Sequence, residues 1–70
     1  METPKYNVGE KFYYLEHASG VICVTVIGVA PEPDSDNKII YFTKHEYEFE
    51  GKKYIDFVTE EESFLNDCRK

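Results

Sequence analysis

Residues 46 to 50 alternate carboxylate and aromatic side chains, Glu46-Tyr47-Glu48-Phe49-Glu50, and alternation resumes past Gly51-Lys52-Lys53 in Tyr54-Ile55-Asp56-Phe57. An extended chain sends successive side chains to opposite faces, so this period of two predicts a β-hairpin with an oily face and a charged one. Its register depends on the turn. A three-residue loop, Glu50-Gly51-Lys52, pairs Phe49 with Lys53 and Tyr47 with Ile55, gathering Tyr47, Phe49, Ile55 and Phe57 on one face. A two-residue loop instead moves Ile55 and Phe57 to the glutamate face. A one-residue slip inverts every side chain, and the three-residue register, which keeps the apolar residues together, is the expectation.

Upstream the pattern is similar. Val8-Gly9-Glu10 predicts a turn, and Lys11-Phe12-Tyr13-Tyr14-Leu15-Glu16 a strand with Phe12 and Tyr14 on one face and Tyr13 and Leu15 on the other. After His17-Ala18-Ser19-Gly20, the run Val21 to Ile27 is β-branched at six of seven positions. Its near-continuous apolarity predicts a central strand covered on both sides, with Gly28 marking a bulge or bend. Ala30-Pro31-Glu32-Pro33-Asp34-Ser35-Asp36-Asn37 is a loop, since prolines remove ladder donors and Asp, Ser and Asn favour turns. Strands are therefore expected at about 11–16, 21–29, 38–43, 46–50 and 53–58. Thr59 and Glu62 have the spacing of a capping box, which predicts a helix over about 60–68 with Phe64, Leu65 and Cys68 as its buried stripe. Five short strands and a terminal helix describe one mainly β domain over residues 1–70, either a small barrel, closed or half-closed, or a strongly bent antiparallel sheet.

The residues Val8-Gly9-Glu10-Lys11-Phe12-Tyr13-Tyr14, then Gly20 to Val29, Ile40-Tyr41-Phe42 and Phe57-Val58-Thr59-Glu60-Glu61-Glu62 resemble small SH3-like barrel proteins of phages and mobile elements of low-GC bacteria. The opening and the glycine after the second strand recur in KOW and Tudor-like barrels. The resemblance covers most of the chain and implies the fold; function does not follow from fold. Departures narrow the reading: the chain has no Trp for Pro-rich peptides and a sole arginine, Arg69, where RNA-binding KOW domains display many cations.

Composition then bounds function. Seventy residues support one small core, and 16% aromatic residues are too many for a disordered chain. No apolar run approaches the roughly eighteen residues of a membrane span, and Met1-Glu2-Thr3-Pro4-Lys5 is polar where a signal peptide is apolar, so a cytoplasmic protein is expected. Cys23 and Cys68 lie far apart and read as thiols, Cys23 buried within its strand. Neither they nor His17 and His45 stand at metal-ligand spacing, the glycines form no phosphate loop, and Cys68 lies too near the chain end to be a well-oriented nucleophile. No enzyme activity, cofactor or metal is expected.

A net charge of −6 disfavours direct nucleic-acid binding and steers the chain toward a basic protein surface. From Glu46 to Glu62 seven carboxylates stand against two lysines, making Glu46, Glu48, Glu50, Asp56, Glu60, Glu61 and Glu62 the candidate contact residues, with Tyr13 and Tyr54 as candidate surface aromatics. Alternate residues of a strand lie about 6.5–7 Å apart, near the phosphate repeat of DNA. On a mobile-element protein this suggests a nucleic-acid mimic, an inhibitor of the anti-CRISPR or anti-restriction kind. The competing readings are a homodimer or accessory oligomer that covers open sheet edges, and a weak KOW-like nucleic-acid module using Lys5, Lys11, Lys44, Lys52 and Lys53.

Overall fold

A computed structural model describes residues 3–70; Met1 and Glu2, two of the five residues of the polar stretch read against a signal peptide, lie outside the described residues. Four antiparallel strands, β1 (Lys11–Glu16), β2 (Gly20–Val29), β3 (Ile40–Phe49) and β4 (Lys52–Glu61), form one sheet in chain order, followed by a short helix α1 (Glu62–Asp67). The expected strands 38–43 and 46–50 are one strand. Lys44 and His45 carry no breaker and pair with Phe57 and Asp56 on β4 and with Thr25 and Val24 on β2, so the ladder runs through them. Ten-residue strands span about 33 Å, which accounts for an elongated molecule of 43 × 21 × 18 Å.

The sheet has an inner, buried face. Phe12, Ile22, Val24, Val26, Tyr41 and Leu65 are its closed core, joined by Tyr6 from the segment before β1, with Phe64 and Cys68 packed against it. Burying each of the large side chains is worth about 1.5–3 kcal/mol, which is what holds α1 against the strands. Tyr41 ties three segments together: its hydroxyl accepts from the Tyr6 N–H at 3.2 Å and donates to Glu62 at 2.7 Å.

The irregularity expected at Gly28 falls beside it: Val26 pairs with Thr43 and Gly28 with Phe42, which leaves Ile27 as the extra residue of a bulge. A Cβ on Gly28 would stand 3.2 Å from the Phe42 ring, so the glycine lets that ring lie on the strand. Several expectations are corrected. β2 is covered on one face only: Ile22, Val24 and Val26 are buried, whereas Val21 and Ile27 are exposed and Cys23 is half-buried. The hairpin turn has two residues, with Phe49 opposite Lys52, Glu48 opposite Lys53 and Tyr47 opposite Tyr54. Glu50 (φ 51°) and Gly51 (φ 77°) both take the left-handed conformation of a type I′ turn, whose twist matches the flanking strands. The capping box does not form. Thr59 stays in β4 opposite Phe42, β4 continues to Glu61, and Glu61 caps the helix without a side-chain bond because sheet pairing continues past the local signal.

Beyond α1 the chain turns back. Tyr13 and Arg69 exchange backbone hydrogen bonds as an isolated antiparallel bridge, on the edge of β1 opposite to β2. Lys70 reinforces this with an ion pair to Glu10 at 2.9 Å and an ammonium 5.3 Å from the Tyr6 ring.

Candidate interaction surface

The two-residue turn settles which side chains share a surface. Counting across the registers, the outer face carries Lys11, Tyr13 and Leu15 from β1, Val21, Cys23 and Thr25 from β2, Phe42, Lys44, Glu46 and Glu48 from β3, and Lys53, Ile55, Phe57 and Thr59 from β4. Leu15 is 79% exposed, Phe57 70%, Val21 62% and Ile55 53%, values far above those of core residues. Ile27, Phe42, Phe57 and Thr59 line a shallow depression on it, together with Thr43 and Val58. Among the described residues no helix lies over this face, because α1 and the Tyr6 segment both pack on the inner one.

The candidate carboxylates do not gather on one surface. Glu46 and Glu48 are on the outer face, each with a lysine: Lys44 Nζ lies 3.4 Å from Glu46, and Lys53 is directly opposite Glu48. Glu61, also on that side, pairs with Lys38 at 3.5 Å. Glu50 occupies the turn. Asp56 and Glu60 are on the inner face, where Asp56 accepts the Tyr47 hydroxyl at 2.8 Å and Glu60 lies 3.4 Å from His45 Nε2. Glu62 sits at the start of α1, holding Tyr41. The outer face is therefore apolar with alternating charges, and the run of acids in the sequence is divided between two sides of the sheet.

Tyr13 and Tyr54 are both substantially exposed but on opposite faces; Tyr54 stacks on Tyr47 with ring centroids 5.5 Å apart. With Tyr6 and Tyr41 in the core, these four tyrosines do not converge on one aromatic cage. Sequence reasoning missed the outer apolar face, since it took β2 as covered twice and placed Ile55 and Phe57 with the inner aromatics. The glutamate-side location of Ile55 and Phe57 was legible only through the turn length.

Inside, His45 is 8% exposed, stacked on Phe64 and beside the Tyr14 hydroxyl, which lies 3.3 Å from Nδ1. Burial pulls its pKa below the ordinary 6.5, against an upward pull from Asp56. Burial also raises Glu60 above the usual carboxylate range. Burial, then Glu60 and Asp67, raise the Cys68 thiol, which keeps it in its poorly nucleophilic protonated form. Both cysteines are free thiols. Among the described residues no three His, Cys, Asp or Glu side chains gather as a metal site, and no helix is long and apolar enough to cross a membrane.

The loop after β2 is organised around Asp34, whose carboxylate accepts the backbone N–H groups of Asp36 at 3.0 Å and Lys38 at 2.9 Å. A second apolar depression lies beside it, lined by Pro4, Val29, Pro31, Pro33 and Ile39. Comparison with models of known protein families, with curated proteins and with solved structures finds no match to this chain.

Proposed function

We propose that this protein is a non-enzymatic interaction module whose outer sheet face receives a protein partner. The observation that carries this reading is the uncovered apolar surface of Ile27, Phe42, Ile55 and Phe57, with Leu15 and Val21 exposed beyond the Lys44, Glu46 and Glu48 column of β3, on a chain of only 70 residues. Contiguous apolar surface of this kind on a small domain marks an interaction site. The lysines and glutamates among the apolar residues set the orientation of the partner, and the net charge of −6 steers the chain toward basic proteins before contact. An inhibitor from a phage or mobile element acting on a basic nucleic-acid enzyme in the bacterial cytoplasm is one instance of this role. In its mimicry form that instance requires an uninterrupted acidic track, and the division of Glu46, Glu48, Asp56 and Glu60 between two faces favours an apolar contact instead.

We also read the fold as a half-closed SH3-like barrel. The Tyr13–Arg69 bridge supports this, since it adds the chain end to β1 and so leads the sheet round toward the helix that follows β4.

The test is affinity capture from a bacterial lysate with the wild-type chain, a Phe42→Ser variant and a Glu46→Lys/Glu48→Lys/Glu50→Lys variant, each checked for folding by circular dichroism. A specific partner retained by the charge variant and lost by Phe42→Ser is expected. A partner lost only by the charge variant, and displaced by duplex DNA, would establish the mimic instead. Identical recovery with all three would remove the outer face from consideration.

A further inference from the structure

β4 is the open edge of the sheet. Among the described residues it pairs with β3 alone, and its first eight residues are all exposed. Natural edge strands are blunted by proline, bulges, shortness or charge, because a long flat edge presents unpaired N–H and C=O groups to any other strand, and β4 has only charge, at its two ends and at Asp56. Here Lys52–Glu61 is ten residues long, has no proline, and pairs with β3 without a register shift. In a two-residue hairpin the closing pair, Phe49 and Lys52, exchanges hydrogen bonds, so by alternation the even-numbered residues of β4 bond to β3. The backbone groups of Lys53, Ile55, Phe57, Thr59 and Glu61 then point to the open edge.

The charge order along this edge identifies what fits it. β4 begins Lys52-Lys53 and ends Glu60-Glu61, so read in the opposite direction it is its own electrostatic complement. The geometry points to a second copy of this chain as the occupant: two β4 strands pair antiparallel across a two-fold axis at Phe57, making one continuous eight-stranded sheet. In that register Lys53 faces Glu61 of the second copy, Ile55 faces Thr59 and Phe57 faces Phe57, so each edge-directed residue exchanges both its backbone bonds. The pairing is isologous, as a closed dimer requires. Moving the axis to Asp56 preserves the hydrogen bonds but sets Asp56 against Asp56 and opposes Lys53 with Thr59. Like charges directly opposite are destabilising, so the axis at Phe57 is selected. The dimer aligns two outer faces side by side, and it stands independently of any partner those faces receive.

Sedimentation equilibrium of the full chain over a wide concentration range tests this. The wild-type chain is expected to dimerise. Lys53→Glu or Glu61→Lys alone turns two symmetry-related attractions into repulsions and weakens the dimer about tenfold, while the double variant restores it. Lys53→Glu also disturbs the Glu48 pair and Glu61→Lys the Lys38 pair within their own chain, and the double variant repairs neither, so restoration reports the contact between copies. Ile55→Pro deletes an N–H aimed at the open edge and none aimed at β3, and is expected to give a folded monomer by circular dichroism. A wild-type monomer at the highest attainable concentration, a dimer unaffected by Ile55→Pro, or no restoration in the double variant would overturn the proposal.

Discussion

His45 shows how one residue couples burial to solution conditions. It lies within the inner face of β3, stacked on Phe64 from α1, with Tyr14 from β1 and Asp56 and Glu60 from β4 around it. Its folded pKa is below the ordinary 6.5, so the unfolded chain takes up its proton first as pH falls. Its contribution to stability is fully present above the unfolded value and is lost progressively as pH drops through about 6.5 toward the lower folded value. Glu60, with its pKa raised, acts in the opposite sense nearer the carboxylate range, since the folded form there binds a proton before the unfolded one does. Urea unfolding between about pH 6 and 7.5 is expected to show stability rising with pH, and His45→Phe is expected to flatten that slope. An unchanged slope in the variant would place the titration elsewhere. The histidine itself is plain in the sequence, but its burial is not, because it lies in the gap between two stretches read as separate strands.

At the scale of elements the hairpin of β3 and β4 is the most instructive. Alternation from Glu46 to Phe57 announces both strands, since a period of two has no helical reading at that length. The register is another matter. A type I′ turn prefers Asn or Gly where this chain has Glu50, so the sequence carries half of the usual signal, Gly51 alone. Glu50 is held at φ 51°, where a residue with an ordinary side chain is disfavoured. Glu50→Asn is therefore expected to raise stability by about 0.5–1 kcal/mol in denaturant unfolding, with no change in the position of Ile55 and Phe57. No stabilisation would mean that the turn relaxes without cost. The missed capping box has a related cause. Thr59 has the spacing for a cap, but remaining in β4 completes its pairing with Phe42, and six residues of helix are then left to begin at Glu62.

For the whole molecule, protection of the β1 edge depends on the last residues. Tyr13 and Arg69 bond through their backbones, and Lys70 meets Glu10 beside Tyr6 and Phe12, so the chain end protects one edge of the sheet while β4 leaves the other open. Removing Arg69 and Lys70 is expected to cost about 1–2 kcal/mol and to abolish hydrogen-exchange protection of the Tyr13 amide, whose other neighbours on β1 stay protected by β2. Retained protection at Tyr13 would show that the bridge does not form in solution. Much of this architecture is legible in residue order: the extent of β1 and β2, the irregularity beside Gly28, the shared face of Phe12 and Tyr14, and the burial of Leu65 on α1 all follow from side-chain periodicity and the steric freedom of glycine. These are local properties, decided within a few residues of the position concerned. The surface is not local. Seven carboxylates between Glu46 and Glu62 form one acidic run in the sequence, yet the turn at Glu50-Gly51 and the continuation of β4 to Glu61 spread them over both faces, the turn and α1 and bring Phe42, Ile55 and Phe57 together instead. Sequence alone determined that this chain is β-rich, acidic and without a catalytic spacing; only the tertiary register decided which side chains share a face, because a shift of one residue costs little locally and reverses every side chain in space.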